Sequence, residues 1–175
     1  MGRKYQLYSI VQSGASLIEL LIVVGLCVLA MQLTMSLGTF FQQSTTRAAL
    51  DELHAQCTFA HMKALVGGHD QKIVFDVDHH AYSWQDAKIT LPDRVHFGTL
   101  HGAHGPPFAP TRPITHPVTF KDATIVFKEN GVIRPGTVYI SDSMRQYGYA
   151  LTVSVARPHA YLRRYCYNGA WHRIT

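Results

Sequence analysis

The hydrophobic pattern divides the chain into three regimes. From Leu20 to Phe41 no charged residue occurs and apolar side chains occupy every face, which at ~1.5 Å per residue gives a helix of about 33 Å, enough to cross a bilayer core. The pattern then turns amphipathic. Leu50, Leu53, Cys57, Ala60 and Ala64 recur at three- and four-residue steps, while Arg47, Asp51 and Lys63 fall off that stripe. One helix is expected from about Ala15 to Val66, about 78 Å long, ending at Gly67-Gly68, where glycine can take the left-handed cap conformation.

Beyond the glycines the reading is β. "KIVFDVD" (72–78) and "AYSWQ" (81–85) are β-rich runs flanking His79-His80, and with "AKITLP" and "RVHFGTL" they predict a meander. Residues 101–117, "HGAHGPPFAPTRPITHP", hold five prolines, which excludes regular structure and predicts a surface loop. "ATIVFKENGVIRPGTVYIS" predicts two strands joined as a hairpin through Asn130-Gly131, and "YGYALTVSVA" with "YLRRYCYNGAWHRI" completes the sheet around a tight Asn168-Gly169 turn. Trp84 and Phe127 are expected in its core. No internal repeat is visible.

Charge sharpens this picture. The formal net charge is +5 over 175 residues, unevenly spread. Residues 15–142 carry nine Lys/Arg against eleven Asp/Glu, and residues 143–175 carry five Arg and no acid, so an anionic partner is expected to meet the C-terminus. Of three cysteines, Cys27 falls in the apolar run. Cys57 and Cys166 could form a disulfide between helix and last strands if that part lies outside the cytoplasm, and are otherwise two buried thiols.

Glu19 is the anomaly of the first regime. A carboxylate inside a membrane helix costs about 2.5 to 3.5 kcal/mol unless hydrated, paired or near an end. A secretory signal cleaved near "VLA" (28–30) would bury Glu19 in its apolar core, and a lipoprotein signal fails because Leu26 separates Gly25 from Cys27. Cleavage after Gly14 instead makes Ala15 a new N-terminus, with an ammonium about one helical turn from Glu19 and able to pair with the same acid on a neighbouring copy. Arg3 and Lys4 before the run predict a cytoplasmic N-terminus.

"GASLIELLIVVG" resembles the class III signal of type IV pilins and type II secretion pseudopilins, in which a prepilin peptidase cuts after glycine and the fifth mature residue is glutamate. Gly14, Ala15 and Glu19 hold those places. Ala15 stands for the usual phenylalanine, and Ser36 for a frequent helix-bending proline. The order of the remainder, with "LPDRVHF" and "FKENGVIRPGTVYIS" ahead of a closing hairpin, resembles the GspH/FimT group of minor pseudopilins. The resemblance implies an α+β, pilin-like fold. Residues 1–14 would be a leader, 15–41 the transmembrane half of a long N-terminal helix, and 42–175 a periplasmic domain in which the amphipathic half packs on an antiparallel β-sheet. It further implies methylation of Ala15 and filament assembly through Glu19. The implied partners are other pilins or pseudopilins, the prepilin peptidase and the bacterial inner membrane, with no cofactor, no small-molecule substrate and no enzyme activity.

Three chemistries were weighed against this structural role. Eleven histidines, including His101 and His104 in "HGAHG" and the pair His79-His80, lack an HExxH motif or carboxylates at ligand spacing, so no metal site is expected. Ser141 and Asp142 have no nucleophile motif around them. Arg145, Arg157, Arg163, Arg164 and Arg173, interleaved with Tyr147, Tyr149, Tyr161, Tyr165, Tyr167 and Trp171, suit phosphate contact with base stacking. Strand alternation places Tyr161, Arg163, Tyr165 and Tyr167 on one face and Leu162, Arg164 and Cys166 on the other, so the aromatics equally suit covering a sheet. Some relatives in the FimT branch bind DNA through a basic C-terminal region during uptake, which makes a DNA-binding minor pilin the alternative function. A plain membrane-anchored binding module is the third reading.

Overall fold

The computed structural model describes residues 17–154 and 161–174, except for the side chains at 34–37, 39 and 154. The chain is α+β with antiparallel sheets, and it divides into two units, Met1–Thr39 and Phe40–Thr175.

Helix α1 (Leu17–Gly67) contributes its first part to the first unit. There the described apolar side chains from Leu17 to Leu33 are exposed on all sides, with Glu19 in the first turn. Among the described residues no helix is long and apolar enough to cross a membrane. The sequence's uncharged run continues through positions 34–37 and 39, whose side chains lie outside the described set.

In the second unit the predicted stripe is the buried one. Leu50, Leu53, Cys57, Ala60 and Ala64 are fully excluded from water and join a core with Ile73, Phe75, Ile125, Phe127, Val138, Ile140 and Leu151. Each leucine buried there contributes about 1.5–3 kcal/mol. The helix stops where expected: Gly68 has φ 62°, and its N–H donates to the Ala64 carbonyl at 3.1 Å, the single bond of a left-handed cap.

Among the described residues nine strands follow: β1 (Gln71–Asp76), β2 (Ala81–Trp84), β3 (Ala87–Thr90), β4 (Val95–Phe97), β5 (Thr124–Phe127), β6 (Thr137–Asp142), β7 (Gly148–Ser154), β8 (Tyr161–Tyr167) and β9 (Trp171–Ile174). They form two sheets, ordered β3-β2-β1-β5 and β4-β6-β7-β8-β9, with every pairing antiparallel. Alternation then selects the inward side chains, Ile73 and Phe75 from β1, and Ile125 and Phe127 from β5.

Two local expectations are corrected. The meander ends at β3, because β4 crosses to the second sheet and pairs Val95 with Asp142 and Phe97 with Ile140. Pro92 and a turn closed by Val95 N–H on the Pro92 carbonyl, with Arg94 at φ 69°, redirect the chain. The Asn130-Gly131 turn forms, but the hairpin stops after the Phe127–Ile133 bridge, and β5 and β6 belong to different sheets. Pro135 has no N–H to extend the ladder. Gly136 then passes so close to the Phe120 ring that a Cβ would lie 2.3 Å from its Cδ1, which fixes the crossing between sheets.

The proline-rich segment is a loop, as predicted, with one isolated bridge between His104 and Pro113. It is tied to the second sheet: Trp171 Nε1 donates to the His104 carbonyl at 2.6 Å, and Tyr139 N–H donates to the Pro117 carbonyl at 2.8 Å.

Candidate functional site

The cleavage and methylation positions, Gly14 and Ala15, lie outside the described residues. Glu19 is exposed among Leu17, Ile18, Leu20 and Leu21, also exposed, and has no ion-pair partner among the described residues. It is the one charged residue among the exposed apolar side chains described from Leu17 to Leu33.

The C-terminal arginines do not form one cluster. Register places Tyr165 opposite Arg173 and Tyr167 opposite Trp171, so Tyr161, Arg163, Tyr165, Tyr167, Trp171 and Arg173 share one face of β8 and β9. On it the Arg163 guanidinium lies over the Tyr161 ring, 4.5 Å from its centroid, and bonds to the Tyr161 hydroxyl. Arg164 points the other way and donates to Asp51 on α1 at 2.6 Å, so it joins sheet to helix. Arg145 lies in the β6–β7 turn with its guanidinium 3.5 Å from His101 Nε2, and Arg157 falls outside the described residues. The structure thus brings together Arg163 and Arg173 and places Arg164 elsewhere.

The other candidates take local roles. His79 Nδ1 and Lys88 Nζ both bond to Asp76, at 2.8 and 3.0 Å, and Lys88 first, then His79, hold its carboxyl down at about 2. His104 Nδ1 is 2.9 Å from the Gly102 carbonyl oxygen. Among the described residues no group of three or more His, Cys, Asp or Glu could hold a metal ion. Asp142 is buried and accepts from the backbone N–H groups of Met144, Gln146 and Tyr147, which makes it the clamp of the β6–β7 turn. Cys57 and Cys166 are both free thiols: the bridge between them is not formed. Both sulfurs face apolar surroundings, Cys57 inside the core and Cys166 packed against it, and burial pushes the Cys57 thiol up.

Two histidines have pKa values lowered by burial. His80, in the β1–β2 turn, stacks on His96 of β4 with ring centroids 4.3 Å apart. Burial, then His96, lower the His80 pKa against an opposing effect of Asp78. Burial, then Arg164, lower that of His54 against Asp51. With folded pKa values below the starting 6.5, the unfolded chain binds more protons, so stability is complete above that value and declines as pH falls beneath it. The expected result is a melting temperature that drops between about pH 7 and pH 5. A chain with His54→Gln and His80→Gln should show a shallower drop; an unchanged slope would assign the acid sensitivity to other groups.

A feature the sequence reading missed lies on the opposite end of the charge distribution. Lys72, Lys121, Lys128 and Arg134 line one groove on the outer face of β1 and β5. Their spacing in the sequence is wide, and only the fold assembles them.

Comparison with known proteins finds no matching family model, no matching curated protein and no matching solved structure.

Proposed function

We propose that the chain is a minor pilin-like subunit of a type II secretion pseudopilus or type IV pilus, cut after Gly14 by a prepilin peptidase and assembled into a periplasmic filament. The observation that carries this reading is the placement of Glu19, the single acid of the first part of α1, among apolar side chains exposed from Leu17 to Leu33. In a filament its carboxylate meets the ammonium of Ala15 on a neighbouring copy, so assembly removes the cost of an unpaired charge in lipid. The proposed architecture is pilin-like: the first half of α1 lies in the inner membrane with the N-terminus cytoplasmic, and its second half is the spine of a periplasmic domain. Two features of the second unit support it. The buried stripe from Leu50 to Ala64 joins helix to strands, and Phe59, Met62 and Val66 form an exposed apolar row at helical spacing, suited to packing against another subunit. No catalytic role and no cofactor enter this reading.

Mass spectrometry of the mature protein from its own cell tests the proposal. The expected N-terminus is Ala15, carrying a methyl group. A protein that still begins at Met1, or begins near Met31, would overturn it.

The aromatic and basic face of β8 and β9 favours a second reading, a minor pilin that binds DNA during uptake. Arg163 and Arg173 flank Tyr165 there, a pairing of cation and ring that fits phosphate with stacked base. Duplex DNA titrated with the full chain in detergent micelles should then bind more weakly as salt rises, and Arg163→Ala with Arg173→Ala should reduce the logarithmic slope by roughly 2. Arg164→Ala should lower thermal stability instead, through loss of its bond to Asp51. Absence of duplex binding at low salt would dismiss this reading.

A further inference from the structure

The inward-facing residues of β1 and β5 fill the core, and on the other face Lys72 and Val74 are exposed, Thr124 is half-buried and Val126 is buried at the base. Register sets Lys72 opposite Val126 and Val74 opposite Thr124, so two cross-strand pairs form a floor. The walls come from outside the strands: Lys121 from the short 3-10 turn Lys121–Ala123, Lys128 just after β5, and Arg134 beyond the Asn130-Gly131 turn. Together they enclose a shallow groove of about 320 Å³, with Asp70 and Asp122 also on its lining.

Charge in this groove is unbalanced. Lys128 is matched by Asp70 at 2.5 Å, which also accepts the Glu129 N–H. Lys72, Lys121 and Arg134 make no salt bridge within 4 Å among the described residues, although Lys72 also acts electrostatically on Asp70. The floor is also open, since Val74, an apolar residue in mid-strand, is 44% exposed. Four cations against two acids around the exposed Val74 suit a ligand that is anionic at its ends and apolar between them.

We propose that this groove docks an extended acidic peptide segment, with carboxylates on Lys72, Lys121 and Arg134 and an apolar side chain on Val74. In an extended chain, side chains on one face repeat every ~7 Å, so an acid, an apolar residue and a second acid at alternate positions place two carboxylates about 14 Å apart with the apolar side chain between them. A nucleic acid fits less well. Duplex DNA carries one negative charge per ~1.7 Å, and such a continuous run would set phosphates against Asp70 and Asp122, whereas a peptide spaces its charges to avoid them. The docking is independent of Glu19 and of the β8–β9 face, so its success or failure leaves the filament reading untouched.

The test is fluorescence anisotropy with the full chain in detergent micelles and a labelled peptide repeating glutamate, serine, valine and serine. This peptide should bind, and the same peptide with lysine in place of glutamate should not. Lys72→Glu with Arg134→Glu should weaken binding about tenfold or more. Should that chain melt early, Val74→Glu provides the second variant, since it leaves all the cations in place and puts a like charge on the floor; it too should weaken binding about tenfold or more. Equal affinity for the wild-type and Val74→Glu chains overturns the proposal. So does binding of a labelled DNA duplex, but not the peptide, that is lost in the Lys72→Glu, Arg134→Glu chain, which would make the groove a nucleic-acid site. Failure of the acidic peptide to bind at low salt overturns it as well.

Discussion

A chain carrying Glu19→Ala is expected to be made and inserted at the parental level, yet to be depleted from the filament fraction on the order of a hundredfold. The reason lies in what each state costs. On the proposed filament reading, a single subunit in the bilayer would hold an unpaired carboxylate, at about 2.5 to 3.5 kcal/mol, and assembly would relieve that cost by bringing a neighbour's ammonium to it. Alanine removes both the penalty and its relief, so the free subunit gains nothing by assembling at this point. Glu19→Gln separates charge from shape: it keeps the length and a hydrogen-bonding end but cannot form the ion pair, and it should fail like alanine. The measurement is the ratio of sheared filament to membrane-bound protein, read by immunoblot. If Glu19→Ala assembles at the parental ratio, the acid has no part in assembly and a plain membrane anchor becomes the better reading. If only Glu19→Gln assembles, hydrogen bonding rather than charge aligns the subunits.

The parts of the fold written in short-range pattern are legible in the sequence. The stripe from Leu50 to Ala64 is buried at every position named, because helical periodicity and burial are the same fact seen along the chain and across it. The cap at Gly67-Gly68 and the Asn168-Gly169 turn depend on one or two residues with permissive backbones, and they too were visible. What sequence missed was the choice of partner between strands. "RVHF" and "TVYIS" have the same alternation whichever sheet receives them, and the decision is made by the Pro92 turn and by the contact of Gly136 with the Phe120 ring, which no local pattern announces. The candidate sites divide along the same line. Alternation already separated Arg164 from Arg163, and the Asp51 partner of Arg164 needed the helix to be in place. The groove of Lys72, Lys121, Lys128 and Arg134 escaped notice because the summed charge of residues 15–142 is acidic, and a sum cannot show where a sheet gathers its cations.

Replacing Asp142 by alanine should cost about 3 kcal/mol and lower the melting temperature by roughly 10 °C. One carboxylate oxygen, Oδ1, receives the N–H groups of Gln146 and Tyr147, each at 2.7 Å, and Oδ2 receives that of Met144 at 3.1 Å. The residue is 1% exposed, so water cannot replace it freely. Within the same turn Arg145 is held at φ 53°, a left-handed conformation that a non-glycine residue adopts at a cost and that the clamp stabilises. Hydrogen bonds to a charged acceptor contribute about 1.5–3 kcal/mol each, and losing the acceptor leaves the donors unmatched besides. Asp142→Asn provides the graded case, because its carbonyl oxygen can keep the two short bonds while its amide group cannot accept the third, and its melting temperature should fall between the other two. Thermal melts of the full chain in detergent micelles, followed by circular dichroism, give the order. If the alanine chain melts within about 2 °C of the parent, the turn holds without its carboxylate, and the positive φ at Arg145 must be maintained by the β6–β7 pairing alone.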